Sequence, residues 1–175
     1  MLFVADAMLG KLARWLRLIG ARAVYAPDAN AVEDDDVIKL AARSKAILLT
    51  RDEALYEKAR SYCRVLLIRS NDLRSQFRET ASAFKIRIPT RETQALCPKC
   101  GFKLKRVQKK KIKPLVWPRV YARHAAFWQC GNARCAKIYW KGTHVREIRR
   151  VLKEIRSARA KRVVKRVIIT RARKA

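Results

Sequence analysis

The first ninety residues predict an α/β fold, a three-layer sandwich around a parallel sheet. Two observations carry that reading. Short apolar runs alternate with stretches of helical periodicity, the order that right-handed crossovers impose on a parallel sheet. The runs are apolar throughout rather than at every second residue, as in strands covered on both faces.

Leu2-Phe3-Val4-Ala5 reads as the first strand. Leu9, Leu12, Leu16 and Ile19 form one helical stripe, which Gly20 stops. Ala23 to Ala26 is the second strand, and Asp34 to Arg43 a helix with Val37, Leu40 and Ala41 on its apolar face. Ala46 to Thr50 is the third strand, followed by a short helix from Glu53 to Ser61. Arg64 to Ile68 is the fourth, and the helix after it carries Leu73, Phe77 and Phe84.

Charge divides the chain further. Of its 175 residues, 43 are Lys or Arg and 14 are Asp or Glu, a formal net charge of +29. Residues 1–96 hold 17 basic and 12 acidic residues; residues 97–175 hold 26 and 2. So one-sided a field selects polyanions, nucleic acid first, and makes a small-molecule enzyme without a macromolecular partner a poor fit. The expected organisation is an α/β domain over 1–90, a linker at Pro89–Thr93, a four-cysteine module over 94–145 and a basic helical tail over 146–175. No signal-peptide pattern and no membrane-length apolar run is evident, so the expected setting is reducing and cytoplasmic, with no membrane partner.

Ligands of an open parallel sheet bind outside the carboxyl ends of its strands. Asp6, Asp34, Asp52 and Asp72 all fall there, each just after a strand or at the start of the following helix. Two readings stand side by side. Asp is a favoured helix N-cap, so all four could be caps. Gathered carboxylates could instead hold Mg²⁺ or Mn²⁺, which activates water and neutralises phosphate charge in phosphodiester hydrolysis. In the second block, Asp35 and Asp36 compete with Asp34 for the inward position.

The run Phe3 to Gly20, with Asp6-Ala7-Met8-Leu9-Gly10-Lys11-Leu12-Ala13-Arg14-Trp15-Leu16-Arg17 at its centre, resembles the opening motif of the Mut-seven C-terminal ribonuclease-like family, a branch of the PIN-like nucleases. Asp34 to Ala41 and Ile47-Leu48-Leu49-Thr50-Arg51-Asp52 resemble its next two blocks. The four cysteines and Ile138 to His144 resemble its zinc-ribbon tail. The resemblance, over about residues 1–145, implies a PIN-like fold with acidic metal ligands at Asp6, Asp34 and Asp52, and Asp72 as a weaker fourth. Within the opening block, Arg14 and Arg17 are candidate phosphate contacts and Trp15 a packing residue.

Cys97-Pro98-Lys99-Cys100-Gly101 is a zinc-knuckle pattern, and Cys130 and Cys135 supply a second pair. Four thiolates suit a closed, tetrahedral, structural Zn²⁺ site. The second pair has four intervening residues where the family has two. Cys63 stands alone beside a strand and reads as a small buried hydrophobe.

Cations interleave with aromatics through this module: Lys109, Lys110 and Lys111, expected on an exposed loop, and Arg119, Arg123, Lys137 and Lys141 beside Trp117, Tyr121, Phe127, Trp128, Tyr139 and Trp140. Phosphate contacts plus stacking is the chemistry of single-stranded RNA binding. Most of the aromatics are expected in the small core, one or two on RNA. Trp140 and His144 are candidate RNA-facing residues. The tail from Val145 holds 13 Lys or Arg and suits structured RNA, ribosomal or transfer RNA being candidate partners.

The sequence therefore predicts an RNA-binding, divalent-metal-dependent ribonuclease. The alternative is a non-catalytic, zinc-containing RNA-binding or ribosome-associated protein that keeps the fold.

Overall fold

The computed structural model describes residues 1–86 and 95–140, single positions at 142, 147, 150, 151, 153, 154 and 157, and the backbone of 169–170. Four strands, β1 (Leu2–Ala5), β2 (Arg22–Tyr25), β3 (Ile47–Thr50) and β4 (Arg64–Leu67), pair in parallel in the order β2-β1-β3-β4. Their side chains alternate between two cores. Phe3, Ala5, Ile47, Leu49 and Leu66 pack with α1 (Gly10–Leu18) and α4 (Leu73–Ala83), centred on Leu12, Leu16 and Phe77. Val4, Leu48 and Val65 pack with α2 (Asp34–Arg43) and α3 (Glu53–Ala59), centred on Val37, Ala41 and Leu55. With helices on both faces, β3 is buried along its whole length.

The helix signals worked locally. Gly20 takes the left-handed conformation at φ 83° that ends the first helix. The three Asp of the first turn of α2 and Arg43 in its last turn oppose the helix dipole. Cys63 is buried, and the Trp15 ring packs edge-on against Phe77 at 5.6 Å. Two short 3-10 turns in the α/β part were not foreseen. One, Ala7–Leu9, delays the start of α1; the other, Ala26–Ala29, has Pro in its first turn and closes on Asn30 at φ 57°.

The cysteine-containing unit is an antiparallel sheet of β5 (Leu104–Val107), β6 (Phe127–Cys130) and β7 (Ile138–Trp140). Two short helices, α5 (Lys109–Ile112) and α6 (Pro118–Arg123), lie between β5 and β6. The lysine run is thus helical rather than a loop, because Ile112 is buried and anchors it. The linker expected at 89–93 lies outside the described residues.

Arg17 ties the two units together. Its Nε donates to the Ala23 carbonyl at 2.8 Å, and one terminal nitrogen donates to the carbonyls of Pro98 (2.9 Å) and Lys99 (2.7 Å). The Leu96 N–H returns a bond to the Arg17 carbonyl at 2.8 Å. Arg17 was expected on RNA; instead its side chain is 4 % exposed and its guanidinium is engaged by protein carbonyls. The reason is its place at the edge of the apolar stripe, four residues after Ala13 and next to Leu16. Arg17→Met should lower stability by about 2–4 kcal/mol, since three carbonyls lose a charged donor. Urea unfolding checks this; an unchanged midpoint would mean that the contact does not hold the units together.

The helical tail expected over 146–175 is only partly covered. The described positions from Glu147 to Ser157 have helical backbone, and Val151 is fully buried in the α1–α4 core. Glu147 pairs with Arg74, and Glu154 with Arg78 at 3.6 Å. Ile169–Thr170, by contrast, forms β8, antiparallel to β4. The β-branched run Val167-Ile168-Ile169-Thr170 favours an extended chain over a helix, and the pairing covers the edge of β4.

Candidate active site and metal centre

The chain runs from β1 outward to β2, crosses back to β3 and continues to β4, so the winding reverses between β1 and β3. Ligands of open α/β sheets bind at this switch point, beyond the strand carboxyl ends. Asp6 occupies it. It directly follows β1, is 4 % exposed, and accepts from the Met8 N–H (2.9 Å), the Arg51 N–H (3.3 Å) and the Thr50 hydroxyl. The Thr50 hydroxyl in turn accepts from the Asp52 N–H at 2.9 Å, so one side chain links the two acids at adjacent strand ends.

Burial pushes the Asp6 carboxyl above its ordinary value of 3.8, and the hydrogen bonds from Thr50, Arg51 and Met8 offset only part of that rise. The sign follows. The folded protein holds this proton more tightly than the unfolded chain, so the contribution to stability is present at low pH and lost as pH rises through the raised value. Thermal unfolding against pH should show that decline in the wild type and lack it in Asp6→Asn; parallel curves would contradict it.

The other acids are placed differently. Asp52 caps α3, accepting from Ala54 N–H (2.7 Å) and Leu55 N–H (3.1 Å). Asp72 caps α4 through the Ser75 N–H at 3.0 Å. Asp34 is exposed in the first turn of α2, where Glu33 takes the cap position. Its neighbours Asp35 and Asp36 pair with Lys58 (2.7 Å) and Lys39 (3.9 Å). A donor set made of carboxylates alone has the chemistry that Mg²⁺ or Mn²⁺ requires. The four acids share one sheet edge, yet among the described residues they form no cluster of three tight enough for one ion.

Beside Asp6 lies a cavity of about 620 Å³, lined by Ala7, Met8, Gly10, Lys11, Arg14, Tyr25, Arg51, Asn71, Asp72, Leu73 and Gln76. At Gly10 a Cβ would sit 3.1 Å from the Tyr25 ring, so a larger residue there requires the ring to shift. Arg14 was anticipated; Lys11 and Arg51 were missed. The signal for Arg51 was its position, directly between Thr50 and Asp52 at a strand carboxyl end.

The cysteines converge. All four Sγ atoms lie within 4.8 Å of one another, with Cys97–Cys135 at 3.8 Å and Cys100–Cys130 at 3.3 Å. A tetrahedral zinc–thiolate site has sulfur–sulfur edges of about 3.8 Å, so the four residues fit Zn²⁺. The long second spacing is absorbed by a turn at Asn132, whose carbonyl accepts from Cys135 N–H (3.0 Å) and Ala136 N–H (2.8 Å). Tyr139, also missed, places its hydroxyl 3.1 Å from the Cys97 sulfur. Burial pushes the Cys97 thiol up; the Tyr139 hydroxyl and the N–H groups of Cys100 and Lys99 outweigh this and hold it at about 7.

A family model described as the Mut7-C RNAse domain matches residues 1–152. The chain belongs to the Mut7-C RNAse domain family. No curated protein and no solved structure matches it.

In this Mut7-C RNAse domain the residues expected on RNA divide. Lys110 and Lys111 are exposed, and Lys109 sits over the Tyr121 ring at 4.6 Å. Trp140 is half-buried against Phe127 (6.4 Å) and His124 (6.1 Å), within the aromatic core of the small sheet. Trp117 is the most exposed aromatic among the described residues, at 80 %, next to Pro118 and Arg119; Phe102 of the same unit is exposed as well. His144 lies outside the described residues. Among the described residues no helix is long and apolar enough to cross a membrane.

Proposed function

We propose that this Mut7-C RNAse domain binds RNA and hydrolyses its phosphodiester bonds at the carboxyl edge of the parallel sheet. The observation that carries the reading is the buried carboxylate of Asp6 at the switch point, beside a cavity with three cations. Asp6 and Asp52, whose backbone N–H is linked to Asp6 through the Thr50 hydroxyl, would be the first candidates to hold Mg²⁺ or Mn²⁺, with Asp34 and Asp72 as further candidates at the same sheet edge. Such an ion supplies activated water and charge neutralisation at phosphorus. The protein's own part is to bring RNA phosphates to Lys11, Arg14 and Arg51 while Thr50 and the backbone keep Asp6 fixed. The cysteines hold a structural Zn²⁺, and the basic surface around Lys110, Lys111 and Trp117 grips the RNA backbone and stacks on a base.

One observation favours a second reading. Asp6, Asp52 and Asp72 all act as caps and do not converge as a metal cluster, which suits a non-catalytic RNA-binding protein that keeps the fold. Incubating single-stranded RNA with the wild type, with and without added Mg²⁺ or Mn²⁺, separates the two. The proposal expects cleavage that depends on the ion and is weakened by Asp34→Asn and by Asp52→Asn. Tight binding without cleavage under either ion would establish the second reading.

A further inference from the structure

The cavity beside Asp6 carries more uncommitted positive charge than one backbone phosphate calls for. Lys11, Arg14 and Arg51 line it, and Asp72 is the acid among its lining residues. Among the described residues none of the three cations has an ion-pair partner, whereas Asp35, Glu53, Glu57, Glu147 and Glu154 are all paired elsewhere. The other polar walls are committed: Tyr25 donates its hydroxyl to the Ala7 carbonyl at 3.0 Å, and Gln76 donates to the carbonyls of Ser70 and Asn71.

Arg51 is the unusual member. A terminal nitrogen of its guanidinium donates to the Asn71 side-chain oxygen, which fixes the plane of the group. Its Nε is buried and has no hydrogen-bond partner among the described residues. A buried donor without an acceptor is costly, and a guanidinium donates in parallel pairs that match two oxygens of a phosphate. The group is thus positioned by the protein with part of its donor set still open.

We propose that this cavity is a pocket for a terminal phosphate monoester of RNA, anchored by Arg51 with Lys11 and Arg14. The lining carries three positive charges and one negative, a surplus of two. A phosphate monoester near pH 7 carries about −1.5 to −2, and an internal diester carries about −1, so the monoester is the better match. A volume of about 620 Å³ lies in the range of small-ligand pockets and accommodates an end nucleotide with its phosphate. This names the substrate class for the RNA reading above and rests on it. RNA with a phosphorylated end is then held with that end in the pocket and the adjacent backbone next to Asp6.

The test is a binding titration with the full, zinc-loaded chain and no added Mg²⁺ or Mn²⁺. The probes are short RNAs of one sequence with a 5′-phosphate, a 3′-phosphate, or hydroxyls at both ends. The expected result is about tenfold tighter binding of one phosphorylated form over the hydroxyl form, falling below about twofold in Arg51→Gln. Arg14→Gln, at an exposed helix position, should also reduce the preference and serves if the first variant does not fold. A preference for the 5′ or the 3′ end supports the proposal and identifies the end. Equal binding of phosphorylated and hydroxyl RNA, or a preference that survives both substitutions, overturns the proposal and leaves RNA binding intact. A nucleoside monophosphate binding as tightly as the RNA would also overturn it, assigning the pocket to free nucleotides. If none of the RNAs binds, the RNA reading itself fails.

Discussion

Removal of zinc, or Cys97→Ser, should unfold the three-stranded unit and loosen the domain it is tied to. The four sulfurs already lie at mutual distances suited to one ion, and the unit offers little else to hold it together. Its buried side chains among the described residues are few, chiefly Cys97, Ile112, Phe127 and Cys130. Structural zinc contributes about 10–16 kcal/mol in small finger peptides at neutral pH, far more than so small a core provides. The damage should spread. Pro98 and Lys99, whose carbonyls bind Arg17, lie between the knuckle cysteines Cys97 and Cys100. When the knuckle loses its metal, Arg17 loses two of its three carbonyl acceptors and keeps the Ala23 carbonyl and the Asp28 carboxylate at 3.7 Å, so a buried cation in α1 is less well satisfied. The wild type is therefore expected to carry one zinc per chain by elemental analysis. Cys97→Ser should lose the metal and show a lower melting temperature for the α/β part as well. Full metal retention, or an unchanged melting temperature in the variant, would contradict this.

The second large effect is expected at Asp6. The fold holds an acid at the switch point in spite of burial that favours its neutral form. Asp6→Asn keeps the volume and one oxygen acceptor but removes the charge, and with it any role in holding a divalent ion. Loss of several kcal/mol of transition-state charge stabilisation corresponds to a fall in cleavage of about a hundredfold or more. RNA affinity should hardly change, because the cations that meet the phosphates are untouched. That separation distinguishes a role in chemistry from a merely structural one.

Much of this was legible in the sequence because the signals were local. Strands apolar throughout, Gly20 as a helix stop, and Asp52 and Asp72 at helix starts each depend on neighbours within a few residues. The four cysteines were legible because thiolate pairs at short spacing have few other uses in a reducing setting. Contacts across the fold were not. Lys11 and Arg14 meet Asn71 and Gln76 in one cavity only because the strand order sets the end of β1 near the start of α4. Arg17 misled for the same reason. Three residues after Arg14, it looked like a second phosphate contact, yet its place on the stripe turned it inward to carbonyls more than eighty residues away in sequence. Ile169–Thr170 went the other way, because a run of basic residues masked the β-branched pattern beneath it.

The buried acid at the switch point is expected to do chemistry on RNA that the surrounding cations hold. The most direct test measures binding and cleavage of one single-stranded RNA by the wild type and by Asp6→Asn, in Mn²⁺, with both proteins shown to be folded. Affinities should agree within about twofold, and cleavage should be at least about a hundredfold slower in the variant. Equal cleavage by both proteins would contradict this.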